Sequence, residues 1–257
     1  MTDTNFHWFR KLTGVTLLCL WLSIIPTGVS LADTISPELE QQVLEIIRKH
    51  PEVLIETLQR YQELQAQDRQ NQRIDRLFNT VDTLIADSPT KGNAQSTLLL
   101  LELSDFQCPF CAASQVPLKQ FLADHPEIKL IYKHFPLTNI HPEALDAARS
   151  AWAAHQQDQF WAYHDALFQQ QDRLSAELYT EIAESLKLDL EQFQIDRDSP
   201  AALASIQADV NLGQQLGIEG TPLFVFYNLE TRQGKYLYGA RSAREFEAAL
   251  EAVESNR

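Results

Sequence analysis

Leu98-Leu99-Leu100-Leu101-Glu102-Leu103-Ser104-Asp105-Phe106-Gln107-Cys108-Pro109-Phe110-Cys111 is the stretch that decides the fold. Its nearly continuous apolar run has the length of a strand and reads as a buried parallel one. Two cysteines with two residues between them follow at once, where the pattern turns helical. Two thiols on one helical turn can open and close a disulfide, and the partial positive charge at a helix N-terminus stabilises a thiolate. The thiolate is the nucleophile of thiol–disulfide exchange. A static disulfide and half of a zinc site are the other readings of this spacing. Zinc asks for four ligands, and no second pair of cysteines exists. A structural bridge is seldom built on so short a loop at a helix start.

Downstream of the cysteines, Pro109 suits a first helical turn, and the helix should run to about Asp124 with a kink at Pro117. Ile128 to Phe135 alternates into a second strand. From about Pro142 to Gln215 the pattern is helical, with Trp152, Phe160, Trp161, Leu167 and Phe168 as core. Leu223 to Tyr227 reads as a third strand, and a turn through Gly234 returns it as Lys235 to Tyr238, a β-hairpin. Ser242 caps a last helix carrying Phe246, Leu250 and Val253.

Upstream, Asp87 to Asn93 is a turn-rich connection. Residues 33–87 before it read as helical throughout. Ser36 caps a helix with Pro37 in its first turn, and Leu39, Val43, Ile46 and Ile47 share a face. His50-Pro51 restarts the chain, and Leu54, Leu58, Tyr61 and Leu64 continue the row. The polar stretch Gln65 to Arg73 interrupts it and should be where the segment bends; Ile74, Leu77, Val81 and Leu84 then restore the spacing. The segment has too little apolar mass for a core of its own. It should pack on a second copy, giving a homo-oligomer through residues 33–87, or fold back onto its own domain.

The first residues read as a secretory signal. Arg10 and Lys11 precede an apolar region from Val15 to Ile25, and Ser30-Leu31-Ala32 offers small residues for cleavage. Cys19 would leave with the signal, so the mature chain would hold two cysteines, Cys108 and Cys111. Export to an oxidising compartment suits a disulfide. The formal charge is −14, and residues 1–32 carry a net +1, which leaves −15 on the remainder. Nucleic acid is excluded as a partner at that charge, with no basic patch in view. The expected division is a signal peptide at 1–32, a helical segment at 33–87 and a main domain at 88–257 with a helical insertion at about 138–215.

Strand, CxxC helix, strand, helical insertion, strand hairpin, helix is the thioredoxin order with a helical subdomain set in its middle. The segment from Leu101 to Cys111 resembles the active-site signature of the DsbA-like thioredoxin family. Gly217-Ile218-Glu219-Gly220-Thr221-Pro222-Leu223-Phe224-Val225 resembles that family's cis-proline segment. The resemblance covers about residues 86–257. It implies an α/β thioredoxin fold with a helical insertion, preceded by the N-terminal helical segment.

It also implies roles. Cys108 is expected to attack and to be partly exposed; Cys111 is expected to be buried and to resolve the mixed disulfide. Pro222 would be the cis-proline facing the CxxC, leaving the Thr221 backbone free to pair with a substrate strand, with the Thr221 hydroxyl near a sulfur. Glu102 would be the family's acid beneath the site, able to raise the Cys111 pKa or relay its proton, with Lys133 as its partner. Phe110 stands where strongly oxidising members carry His. It cannot donate to sulfur, which implies a less oxidising pair. The histidines at 134, 141, 155 and 164 read as packing or solvated residues. No cofactor is implied.

The implied function is disulfide exchange in the periplasm or another extracytoplasmic lumen. Cysteine-containing exported proteins would be substrates, and a membrane or soluble redox partner would recharge the site. An oxidase and an isomerase or reductase are the two directions. The helical segment and Thr221 lean toward the second. The rival class is a copper-handling protein using the same two thiolates, with little thioether help, since Met1 is the sole methionine.

Overall fold

The computed structural model describes residues 36–79 and 84–255. The expected signal at 1–32 lies outside them. The chain divides into two compact units, residues 1–57 and 58–257.

In the first unit, α1 spans Pro37–Lys49 and α2 begins at Pro51. The Ser36 hydroxyl accepts from the Leu39 amide at 3.2 Å, and Pro37 occupies the first turn, where its missing N–H leaves no bond unmade. Glu38 and Glu40 in the first turn and Arg48 and Lys49 in the last oppose the helix dipole at both ends. Leu39, Val43, Leu44, Ile46, Val53, Leu54 and Ile55 are all exposed.

In the second unit α2 continues to Phe78 without a break. The bend expected at Gln65 to Arg73 is absent. That stretch holds no Gly, Pro or β-branched residue, and Gln, Arg and Ala are good helix formers even where they bury nothing. The end of α2 joins the core. Ile74 and Phe78 are buried, as is Leu84 beyond it, and all three lie before the expected boundary at residue 88. Phe78 stacks on Tyr227 at 4.3 Å, and the Tyr227 hydroxyl donates to Asp75 Oδ1 at 2.8 Å. Arg232 closes the cluster at 3.0 Å from the same carboxylate.

The sheet follows. Its strands are β1 (Thr90–Gly92), β2 (Leu98–Ser104), β3 (Lys129–His134), β4 (Leu223–Asn228) and β5 (Gln233–Tyr238), in the order β1-β3-β2-β4-β5. β2 and β3 are parallel; the remaining pairs are antiparallel. β1 replaces part of the connection read as turns. Its short pairing with β3 is anchored where Gly92 adopts φ +92°, a place where a Cβ would lie 2.1 Å from the Ile128 carbonyl oxygen.

Period two sets the faces. Leu99, Leu101, Leu103, Ile131, Val225 and Tyr227 form one core with Ile74 and Phe78. Leu100, Leu130, Phe224 and Phe226 form another against α9 (Ala243–Glu254) and α3 (Pro109–Asp124), which runs on through Pro117. The helices α4 (Ala144–His155), α5 (Phe160–Gln169), α6 (Ala176–Ser185), α7 (Leu190–Arg197) and α8 (Pro200–Gln215) lie between β3 and β4 in sequence. Ala147, Ala151, Tyr163, Tyr179 and Phe193 build their shared interior, which reaches Cys111 and Tyr132.

Candidate active site

β2 ends at Ser104, and three residues carry the chain to Cys108, the N-cap of α3. The Cys108 carbonyl accepts from the amides of Cys111 and Ala112, at 3.1 and 3.2 Å, which starts the helix. Asp105 holds the loop. Its carbonyl accepts from the Cys108 amide at 3.1 Å, and its buried carboxylate accepts from the amides of Gln107 at 2.8 Å and Leu137 at 2.9 Å. His141 Nδ1 stands 2.7 Å from the same carboxylate, so this histidine is a brace for the active-site loop rather than a bystander. From the insertion, the Gln171 amide donates to the carbonyls of Phe106 and Cys108, at 2.7 and 2.9 Å. The contacts of Asp105 with Leu137 and His141 and those of Gln171 span 32 to 65 residues and leave no local signal in the sequence.

Cys108 is 3% exposed, not the partly open residue expected from a helix N-cap. The Thr221 backbone closes over it, and the Cys108 thiol donates to the Thr221 carbonyl at 3.4 Å. Phe110, between the two cysteines, points into solvent at 61% exposure. Cys111 is fully buried, as read from sequence. The Thr221–Pro222 bond is cis, and the contact to Cys108 places that segment against the cysteine pair.

The two thiols part in acidity. The hydrogen bond from Cys111 pulls the Cys108 thiol down to about 5, with help from Thr221 and the amides of Cys111 and Phe110, against the opposing effect of burial. Burial pushes Cys111 well above the ordinary value, and the nearby Cys108 sulfur adds to the rise. One thiol is therefore ready as a thiolate at neutral pH and the other holds its proton.

Glu102 is buried below them. Its Oε1 accepts from the Gln115 amide at 3.1 Å, and the same amide reaches the Cys111 carbonyl at 3.4 Å. Burial raises its carboxyl to about 7, against the hydrogen bond of Gln115 and the pull of the nearby Ser104 hydroxyl. Lys133 is not its partner. Glu102 pairs with Tyr132 across the sheet, so Lys133 projects to the other face, where it meets Asp209 at 2.9 Å. Ser104, Tyr132 and His134 share the Glu102 face. The Ser104 and Tyr132 hydroxyls and the two His134 ring nitrogens have no hydrogen-bond partner among the described residues. Burial drives the His134 imidazole down to about 3, which keeps it neutral.

A search against known families and proteins agrees with this geometry. Residues 100–251 match the family described as DSBA-like thioredoxin domain. A thioredoxin-like oxidoreductase from Silicibacter pomeroyi superposes with TM-score 0.59 and 28% identity, over 66% of this chain and 95% of that one. The thiol-disulfide exchange protein α-DsbA2 of Wolbachia pipientis gives 0.61 at 22% identity, over 72% and 97%. A linker-deletion mutant of Proteus mirabilis ScsC gives 0.60 at 22%, over 88% and 97%. In sequence, the Na(+)/H(+) antiporter NhaA 3 of Salinispora tropica is 33% identical over 162 residues, 63% of this chain and 25% of that protein. The chain thus spans about a quarter of the length of the curated relatives it matches. With more than half of its length matched and a CxxC helix laid against a cis-proline segment, the chain belongs to the DSBA-like thioredoxin domain family.

Proposed function

We propose that the protein is an exported thiol–disulfide oxidoreductase that exchanges disulfides with cysteine-containing proteins through Cys108 and Cys111. The observation that carries this reading is the pair of cysteines on one helical turn with the cis Thr221–Pro222 segment laid against Cys108. The Cys108 thiolate attacks a substrate disulfide; a Cys108–substrate bond forms, and the substrate's other sulfur leaves as a thiolate. Cys111 gives up its proton to Glu102 and attacks the Cys108 sulfur. The Cys108–Cys111 bond forms, the substrate sulfur departs, and the substrate is reduced while the protein is oxidised. Run backward, the same steps oxidise a substrate. The Thr221 carbonyl, just before the cis Pro222, meets the Cys108 sulfur, where the Thr221 backbone can guide an extended substrate strand.

The apolar rows of α1 and α2 favour the isomerase or reductase direction, with a second copy of the chain covering them. Arg10, Lys11 and the apolar Val15–Ile25 segment support a periplasmic setting, with a separate redox partner resetting the cysteines. A Cys111→Ser variant should trap mixed disulfides through Cys108. Beside it, refolding of a scrambled disulfide substrate reads the direction. Failure to trap any partner, with Cys108 intact and reactive, would overturn exchange; tight stoichiometric binding of monovalent copper in its place would move the assignment to copper handling.

A further inference from the structure

The Thr221 carbonyl that meets the Cys108 sulfur stands at the end of a short segment with little of its own to fix it. Leu216 to Pro222 join α8 to β4, and both Gly217 and Gly220 lie among them. Gly220 has open space where a Cβ would stand, and Glu219 is exposed. Glycine gives up more backbone freedom on folding than any other residue, so one fixed course through two of them needs support from outside.

The segment starts as a helix stop. The Gly217 amide donates to the Gln214 carbonyl at 2.9 Å and the Ile218 amide to the Gly213 carbonyl at 3.0 Å. These paired bonds make a Schellman turn, which asks for a positive φ just past the cap, and Gly217 has φ +74°.

The support comes from α2. Its Ile74 and Phe78 share a core with Leu216 and Ile218. Arg73, which is exposed, reaches the turn itself. A Cβ on Gly217 would stand 2.5 Å from Arg73 Nη1 and 3.6 Å from its Cζ, so the guanidinium covers Gly217 where other residues carry a side chain. The next residue, Ile74, does the same at Gly234 of β5, with its Cγ2 2.8 Å from the corresponding position. The Arg73 charge also acts on the hydroxyls of Tyr236 and Tyr238, whose rings stack at 6.1 Å along β5. β5 meets the segment again at its far end, where the Gly239 amide donates to the Pro222 carbonyl at 2.8 Å. Adjacent residues of one helix therefore touch both chains that converge on Pro222.

We propose that Arg73 is a positioning residue for exchange: from α2 it covers the Gly217 turn and holds the Gly217–Thr221 segment in the course that lays the Thr221 backbone beside Cys108 for a substrate strand. The inference rests on the exchange reading above. It makes the N-terminal helix part of the device that receives the substrate. An exposed arginine adds little to global stability, so its removal acts on the segment rather than on the fold.

Two disulfides separate this role from the chemistry. One joins a cysteine within an extended peptide to a small coloured aromatic thiol; the other is the small aromatic disulfide alone. In both, Cys108 attack forms a bond to one sulfur and releases the other as a coloured thiolate. The peptide uses the Thr221 backbone, and the small disulfide offers it no strand. Arg73→Ala should raise the half-saturating peptide concentration about fivefold, the worth of one strand hydrogen bond, and leave the maximal rate, the small-disulfide rate and the urea midpoint unchanged. Gly217→Ala, whose new methyl displaces the guanidinium, should also weaken peptide binding, and adding Arg73→Ala to it should weaken binding no further. Amide resonances of Gly217, Gly220 and Thr221 should shift in Arg73→Ala while that of Ala112 on α3 stays in place. Unaltered peptide saturation, equal slowing with both disulfides, independent effects of the two substitutions, or unmoved segment amides would each overturn the positioning role and leave exchange standing. Failure of the unaltered protein to react with either disulfide defeats the exchange reading, and the positioning role with it.

Discussion

The acidity of Cys111 is set by burial, that of Cys108 by the hydrogen bonds that reach its sulfur. Cys108 takes them from Cys111 and the first-turn amides, so its thiolate form survives burial. Alkylation of the reduced protein by iodoacetamide should rise with a midpoint near pH 5; a midpoint at the ordinary value of about 9 would refute the assignment. Glu102 works in the opposite sense. Its folded value near 7 exceeds the ordinary 4.5, so the folded state holds a proton that the unfolded chain has released. Its contribution to stability is complete below about pH 4.5 and is lost as pH rises through about 7. Glu102→Gln should remove that loss, with a gain of up to about 3 kcal/mol at pH 8 relative to pH 4 by urea titration. An equal effect at both pH values would contradict it. Both cysteines and the buried acid were legible in the sequence because they sit within one motif. The burial of Cys108 was not, because the cover comes from Thr221, over a hundred positions away, and only the folded chain brings it there.

Among the elements, those with strong periodicity were readable: β2, β3, the β4–β5 hairpin and the capped α9 lie where the apolar pattern puts them. β1 was not, since three residues without an apolar pattern carry no strand signal and owe their state to the free edge of β3. The Lys133 pairing failed for a related reason. Alternation within a strand is visible in a sequence, but the register that matches Glu102 to Tyr132 is not. The 3₁₀ turn at Gln171–Arg173 is the least readable piece and one of the most consequential, because Gln171 ties the insertion to the cysteine loop. Gln171→Ala should destabilise the protein by about 1–2 kcal/mol, the range for two lost hydrogen bonds to carbonyls. It should also speed alkylation of Cys108 as the loop loosens. Unchanged denaturation and unchanged alkylation together would show the clamp to be idle.

At the scale of the molecule, the question is where the catalytic unit begins. The composition of residues 33–87 invites their removal as one piece, yet that cut takes Ile74, Phe78 and Leu84 out of the core. Losing one large apolar side chain costs about 2–5 kcal/mol, against a total stability of about 5–15 kcal/mol. A chain starting at residue 88 should therefore be unfolded or molten by circular dichroism. One starting near residue 58, at the boundary between the two units, should fold and remain redox active. Light scattering should find the shorter folded form monomeric and the longer one associated through its exposed apolar rows. A monomer in both cases would remove the reason for an isomerase assignment. The same anchor also governs timing. Asp75 and Tyr227 are 152 residues apart, and β2 meets its antiparallel neighbour β4 only after the whole insertion has been made. Contacts of such long separation close slowly. On the ribosome, a nascent chain stopped before residue 223 would carry β2 and β3 with neither β4 beside them nor Tyr227 to seat Phe78, and would stay open to protease along that length. Emergence of β4 with Tyr227 converts it to a resistant form.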